Sequence, residues 1–385
     1  MALARRKDFA RDLLIAVKVE FTPLTASLVP ACRAFNERLC ARGKPPFLLP
    51  EDASVNERSA TYGDIRRSHY VAVDDSGAVR GGVLLMEQRG WLDKAAIPLI
   101  NIQSPLSEGI VDRRFSGVSV QMLKFVYSRS RYAYAVGMGD AENSFPRLLR
   151  AAGWSVSSVP FEFAVIHPRR FLKEIGPLRS GKRSWAARAI ADSGLGSVLL
   201  KTWHLAHPDP PVQGYSLEPA TSWPDGLNAV WERCRDEISF SVLRDESTAA
   251  ALYPDREPRL KRFLLRFAGD VVGWSVNVAT KMEQNPKFGD LLVGTILDGL
   301  STKAHIGALL AMTRKALREM GAEVILTNQT HYIWEEESRR LGFVRGPSNY
   351  LLAMSKDLAA ALASEPGALR RTHVNRGDGD GRIHL

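Results

Sequence analysis

Alternating apolar and polar side chains mark strands over residues 17–24, 69–74, 79–87, 97–103 and 132–138. Apolar residues spaced i, i+3, i+4 mark helices over 27–42 and 117–128. A third helix closes at Ala152-Gly153-Trp154, where the glycine supplies the stop, and a last strand pair runs through 163–166. The turn Asp75-Ser76-Gly77-Ala78 joins two of these strands. The same series then repeats. A strand starts at Tyr215, a helix covers 226–237, and strands 263–267 and 271–278 flank Ala268-Gly269-Asp270. Strand 291–297, helix 304–320, strand 323–327, a helix ending at Leu341-Gly342-Phe343 and a strand near 350–354 complete it. Gly77 and Gly269, Gly117 and Ala304, and Gly153 and Gly342 stand at nearly one separation, the mark of a duplicated domain. Strands and helices interleave throughout, so the fold class is mixed α/β.

Between the copies, 168–204 is basic and helix-prone, and the prolines of Pro208-Asp209-Pro210-Pro211 stiffen the connection to the second copy. Beyond Ser364 the chain is polar and glycine-rich and reads as a disordered tail. A hydrophobic content of 45% supports sizeable cores, and three cysteines, Cys32, Cys40 and Cys234, cannot staple 385 residues; they read as free thiols in a reducing cytosol. No apolar run reaches the ~20 residues of a membrane span. The basic start, MALARRKDF, leads into a short apolar stretch broken by Lys18, too brief for the ~7–15 apolar residues of a secretory signal. The expectation is a cytoplasmic enzyme.

A net charge of +10, from 52 Lys and Arg against 42 Asp and Glu, favours an anionic partner. Those residues are scattered, with small clusters at Arg113-Arg114, Lys182-Arg183 and Arg370-Arg371, and no basic run is interleaved with aromatics as in a nucleic-acid groove. Zinc-ligand spacings are lacking, and His331 with Glu335, i and i+4 on a helix, lacks a third ligand and reads as a surface contact, so no metal is expected.

The sharpest local signal is Arg114-Phe115-Ser116-Gly117-Val118-Ser119, a small-residue turn between a strand and a helix. Such a turn aims unpaired backbone N–H groups and the positive end of the helix dipole at one point, which suits a pyrophosphate, and Arg113 or Arg114 adds a charge-assisted contact. A plain helix capped by Ser116 is the alternative.

The turn resembles the pyrophosphate loop of the GNAT acyltransferase superfamily, Arg/Gln-x-x-Gly-x-Gly/Ala, here Arg114-x-x-Gly117-x-Ser119. Asn143 and Gly153-Trp154 resemble that family's strand-to-helix asparagine and closing Gly-aromatic pair. In the second copy Ser301-Thr302-Lys303-Ala304-His305-Ile306 lacks both the leading Arg/Gln and the glycine. The resemblance implies two GNAT-like domains, each a mixed, mostly antiparallel sheet flanked by helices. Their limits would be an extension 1–16, a first domain 17–167, a helical linker 168–213, a second domain 214–358 and the tail 359–385. It also implies acetyl-CoA or another acyl-CoA as co-substrate, held in the first domain by Arg113, Arg114, Phe115, Ser116, Gly117, Val118, Ser119 and Asn143.

Acyl transfer needs a base for the acceptor and an acid for the thiolate. The tyrosine that serves such families as acid is replaced by Leu149 and Ser338 at the two corresponding positions. Glu108, just past a strand of the first copy, is the first candidate base, with a surface carboxylate as the plain alternative. Asp298 is the candidate base or acceptor ligand of the second copy, or else a turn cap beside Gly299. The expected reaction is direct N- or O-acyl transfer to a small-molecule acceptor, by analogy an amino sugar or nucleotide sugar. The alternatives are a FemABX-like transferase using aminoacyl-tRNA and a catalytically inactive acyl-CoA-binding scaffold.

Overall fold

The computed structural model describes residues 17–50, 60–62, 65–178, 185, 189–224, 226–255 and 257–379. The proposed extension 1–16 and the pair Lys182-Arg183 lie outside them. The strands are β1 (Val19–Pro23), β2 (Ala60–Tyr62), β3 (Ile65–Asp74), β4 (Val79–Leu92), β5 (Ala95–Ser107), β6 (Ala133–Val136), β7 (Ser155–Ser158) and β8 (Phe161–Val165). They continue as β9 (Tyr215–Pro219), β10 (Phe240–Val242), β11 (Lys261–Phe267), β12 (Asp270–Lys281), β13 (Leu292–Ser301), β14 (Val324–Asn328), β15 (Val344–Gly346), β16 (Leu351–Met354) and β17 (Thr372–His373). The helices are α1 (Val29–Cys40), α2 (Gly117–Arg129), α3 (Ser144–Ala151), α4 (Pro168–Glu174), α5 (Leu195–Ala206), α6 (Gly226–Cys234), α7 (Glu246–Leu252), α8 (Lys303–Glu319), α9 (Tyr332–Arg340) and α10 (Lys356–Ala363).

Two compact units result, and neither is a single stretch of chain. Among the described residues the first unit draws on 17–90, 96–157 and 351–364, and the second on 91–95, 158–350 and 365–379. The sheet of the first unit runs β1-β3-β4-β5-β6-β16-β7, with β2 on the outer end of β3. Its core lies under α2, where Val83, Leu85, Ile100 and Ile102 meet Met122, Leu123 and Val126. A second cluster beneath α1 joins Cys32, Phe35 and Leu39 to Val71 and Val79. The sheet of the second unit runs β15-β8-β14-β13-β12-β11-β9, and its core packs Ile296 and Ile325 against Leu309, Leu310 and Trp334.

Both sheets are mostly antiparallel, with parallel pairing where β5 meets β6 and where β13 meets β14. The duplication extends to close packing. A Cβ on Gly81 of β4 would lie 2.9 Å from the Leu106 carbonyl, and one on Gly273 of β12 the same 2.9 Å from that of Leu300. Each position therefore demands glycine.

The two copies exchange their last strands. β8, from the first copy, sits between β15 and β14 in the second unit, and β16, from the second copy, sits between β6 and β7 in the first. Leu352 and Met354 of β16 pair with Val136 and Tyr134. The α4 and α5 segment belongs to the second unit, where the Trp203 indole donates to the Gly342 carbonyl at 2.8 Å. The tail also departs from the disorder expected of it. Residues 365–373 form a turn and β17, which pairs in parallel with β10, and Thr372, His373, Val374, Asn375 and Asp378 are buried. Cys32 and Cys234 are free and buried, and burial pushes their thiols up to about 11 and about 12.

Candidate functional site

In the first unit β5 and β6 pair over two rungs, Ile100↔Ala133 and Asn101↔Tyr134, and β5 then runs on to Ser107 with no further pairing to β6. A wedge opens between two parallel strands, and at its mouth the chain coils into α2. Two short turns precede the helix: Ser107 accepts from the Gly109 amide at 3.1 Å, and Asp112 from the Arg114 amide at 3.0 Å. Ser116 caps α2 by backbone alone, with no side-chain hydrogen bond, so the amides of the first turn are left for another partner.

Beside this turn lies a pocket of about 720 Å³ in which Arg38, Arg42, Arg80, Arg113 and Arg114 face Glu108 and Asp112. Five guanidinium groups against two carboxylates leave an excess of positive charge. Glu108 is 4% exposed. Its oxygens accept from Arg38 Nε at 2.8 Å and Nη2 at 2.9 Å, and from Arg80 Nη1 at 3.1 Å. Arg80 also reaches Asp74 at 2.6 Å and lies 4.3 Å from the Phe115 ring centre. Although burial opposes its charge, the bonds to Asp74 and Glu108 hold the Arg80 guanidinium above its ordinary range. The Asp74 carboxyl is correspondingly held down to about 2: burial pulls the other way, but hydrogen bonds from Ser76 and Arg80 outweigh it.

The arrangement gives Glu108 a different part from the base expected of it: both its oxygens are engaged by guanidinium groups, and it fixes Arg38 and Arg80 at the pocket wall. Of the other expected ligands, Arg113, Arg114 and Ser116 are exposed, while the side chains of Phe115 and Val118 enter the core beside Ala72. Phe115 and Val118 could thus meet a ligand only through the backbone. Arg114 is also tied to Asp112 at 2.5 Å. Asn143 stands apart from the turn, at the start of α3 beyond β6, with Nδ2 donating to the Met138 carbonyl at 3.3 Å.

The wedge has a polar side that sequence reasoning missed. Ile100, Ile102, Ala133 and Ala135 face the core under α2, so the alternating Asn101, Gln103 and Tyr134 face the opposite side of the sheet. All three are buried. The Tyr134 hydroxyl accepts from Gln88 Nε2 at 2.9 Å, and Gln103 Nε2 donates to Met86 Sδ at 3.4 Å. Polar residues spaced by two inside otherwise apolar strands were the available signal. Leu149, the position expected to lack the acid, lies in the core.

The second unit has the same wedge, but it is filled. β13 and β14 pair from Val293↔Val324 to Ile296↔Thr327, and beyond that point residues 373–378 lie between the strands. Thr330 N donates to the Val374 carbonyl at 3.1 Å, Gln329 bridges Asn375, and His373 Nε2 meets the Gly299 carbonyl at 3.0 Å. Asp298 sits at the centre of this plug, fully buried. It accepts from Tyr253 at 2.7 Å, from the Gly299 amide at 2.7 Å, from Arg244 at 3.0 Å and from Asn375, while Arg244 reaches Asp378 at 2.7 Å. The reading of Asp298 as base or acceptor ligand is therefore corrected: it is the buried anchor of an ion cluster.

His331 is likewise no surface residue. It is 4% exposed, stacked on Tyr332, and burial holds its imidazole down to about 4. Glu335 turns instead to Arg345, at 2.8 Å. Among the described residues no group of His, Cys, Asp and Glu is placed to hold a metal, and no helix is long and apolar enough to cross a membrane.

No protein-family model and no curated protein matches the chain. Solved structures do. A GCN5-related N-acetyltransferase from Anabaena variabilis superposes with a TM-score of 0.54 over 90% of this chain and 74% of its own, at 9% identity. A probable N-acyltransferase from Enterococcus faecalis gives 0.51 over 90% and 74%, at 11% identity. The N-myristoyltransferase of Saccharomyces cerevisiae, solved with bound myristoyl-CoA, gives 0.51 over 88% and 79%, at 10% identity. The fold is that of the GNAT acyltransferases, present twice. In the first GNAT unit the parted parallel strands and the arginine-lined turn stand together. The second GNAT unit keeps the strands, but Ser301 stands where the first has Arg114, and His305 in the first turn of α8 is hydrogen-bonded to the Tyr215 hydroxyl at 2.8 Å.

Proposed function

We propose that the protein is an acyl-CoA-dependent acyltransferase whose co-substrate binds the first GNAT unit. The observation that carries this reading is the arginine-rich pocket at the amide-bearing start of α2, beside the wedge between β5 and β6. Arg113 and Arg114, with the backbone of Phe115, Ser116, Gly117, Val118 and Ser119, receive the pyrophosphate; Arg38 and Arg80, oriented by Glu108, complete the anion site. Asn143, at the start of α3 beyond β6, is the remaining candidate ligand. The plug in the second unit supports a single co-substrate site.

The acyl chain of acetyl-CoA or a longer acyl-CoA lies in the wedge, where an acceptor amine or hydroxyl attacks the thioester carbonyl directly. The C–S bond breaks as the new C–N or C–O bond forms. The departing thiolate takes a proton from the Tyr134 hydroxyl, on the last rung before the strands part, and the proton given up by the acceptor nitrogen or oxygen restores the tyrosine through solvent. The acceptor is a small molecule, with an amino sugar or nucleotide sugar as the first class to screen.

Release of free CoA thiol from acetyl-CoA and longer acyl-CoAs, measured against a panel of amines and sugars, tests this reading. Turnover lowered about a hundredfold by Tyr134→Phe supports it. Acyl-CoAs that neither bind nor turn over would overturn it.

A further inference from the structure

A second cavity lies wholly within the second GNAT unit, on the face of β8 and β14 away from α8. It measures about 520 Å³, inside the range of roughly 300–1,000 Å³ typical of small-molecule sites. Phe161 and Phe163 of β8, Phe171 of α4, Phe288 of the β12–β13 connection and Leu326 of β14 wall it. The rings form one continuous surface: Phe161 and Phe163 stack at 6.0 Å between centres, Phe163 and Phe171 at 5.7 Å.

Two cations lie at its edge, of which Lys287 is exposed to solvent and Arg376 is set into the wall. Arg376 belongs to the plug segment and is largely buried. Its Nη1 donates to Asn328 Oδ1 at 3.3 Å, and its guanidinium lies 5.3 Å from the Tyr350 ring centre. Nε is buried with no hydrogen-bond partner, and among the described residues no carboxylate pairs with this arginine. Burial depresses its charged form, with the Tyr350 side chain opposing. The neighbours are held in place: Asn328 Nδ2 donates to the Pro160 carbonyl at 3.0 Å, and the Tyr350 hydroxyl to the Arg376 carbonyl at 3.2 Å. A buried guanidinium without a counter-charge is costly, and an anion entering along the apolar walls would relieve that cost.

We propose that this cavity is a binding site for an amphipathic carboxylate, an alkyl or aryl body seated among Phe163, Phe171 and Phe288 with its carboxylate on Arg376. It is separate from the acyl-CoA site of the first unit and holds whether or not that reading does. The test is calorimetric titration of the full chain with decanoate, decanol and decylamine below their aggregation limits. The site predicts one saturable decanoate per chain, bound about tenfold tighter than decanol, and no binding of decylamine. Arg376→Met should bring decanoate down to the decanol level while leaving decanol unchanged, Arg376→Lys should keep the preference, and Phe171→Ala should weaken both ligands. Thermal unfolding of each variant establishes that it is folded. Equal affinity for decanoate and decanol, no binding of either, or a preference that survives Arg376→Met would overturn the assignment.

Discussion

Arg38 and Glu108 meet through two nearly parallel hydrogen bonds, Nε to Oε1 at 2.8 Å and Nη2 to Oε2 at 2.9 Å, at the wall of the arginine-lined pocket. A side-on pair of this kind fixes the guanidinium plane, and Arg80 shares the same carboxylate from the other side. Glu108→Gln should thus weaken acyl-CoA binding, read as a raised Kd or KM, with little change in kcat. Stability should fall by about 2 kcal/mol, the scale of hydrogen bonds to a charged group. A large loss of kcat together with the loss of the acidic limb of the pH profile would restore Glu108 as the base.

The plug makes a second prediction. A Cβ on Gly377 would lie 1.9 Å from the Tyr253 hydroxyl, so Gly377→Val cannot keep the segment seated. Limited proteolysis should then cut within 365–379 far faster than in the parent. Acyl-CoA affinity should be unchanged, because the proposed site is in the other unit. Equal protease resistance would show that the plug is not held by these contacts.

Glu162 of β8 is 2% exposed, and burial pushes its carboxyl up to about 7, with the Glu335 charge adding to the shift. A folded-state pKa above the unfolded value means that stability falls as pH rises, from about 4.5 through 7. Glu162→Gln should match the parent below pH 4.5 and exceed it above pH 7, by up to about 3 kcal/mol. Denaturant unfolding at pH 4.5 and pH 8 reads this directly, and a difference independent of pH would refute it.

His331 gives the opposite sign. Its imidazole is held down to about 4 by burial, with Arg371 adding to the effect against a bond to the Glu237 carbonyl. The unfolded chain therefore takes up the proton first, and the contribution of neutral His331 is lost as pH falls from about 6.5 towards 4. His331→Phe keeps the ring on Tyr332 and removes the proton site. The stability difference between parent and variant should move against the parent over that window, and a flat difference would contradict burial of a neutral imidazole as the cause.

Much of the fold was legible because its signals are local. Alternation set β3, β4, β11 and β12, the turns at Gly77 and Gly269 joined them, and the glycines at 153 and 342 ended α3 and α9. Alternation shows which side chains share a face but not which strand lies alongside, so the exchange of β8 and β16 was invisible. The tail looked disordered because its composition is polar, yet Arg371 and Asp378 find charged partners within the fold. Arg244, directly after the strand-like alternation Ile238-Ser239-Phe240-Ser241-Val242-Leu243, was the available sign that a carboxylate would be brought to it. The same blindness to distant partners made Glu108 look like a base. Its two arginines arrive from α1 and β4, far away in sequence.

The central claim is one acyl-CoA site, in the first GNAT unit, built on the start of α2. Calorimetric titration with acetyl-CoA and a longer acyl-CoA measures it most directly, on the parent, Gly117→Glu and Gly377→Val. The account predicts one site per chain in the parent, none in Gly117→Glu, where a carboxylate meets the incoming phosphate, and one again in Gly377→Val. Two sites in the parent, or binding that persists undiminished in Gly117→Glu, would contradict it.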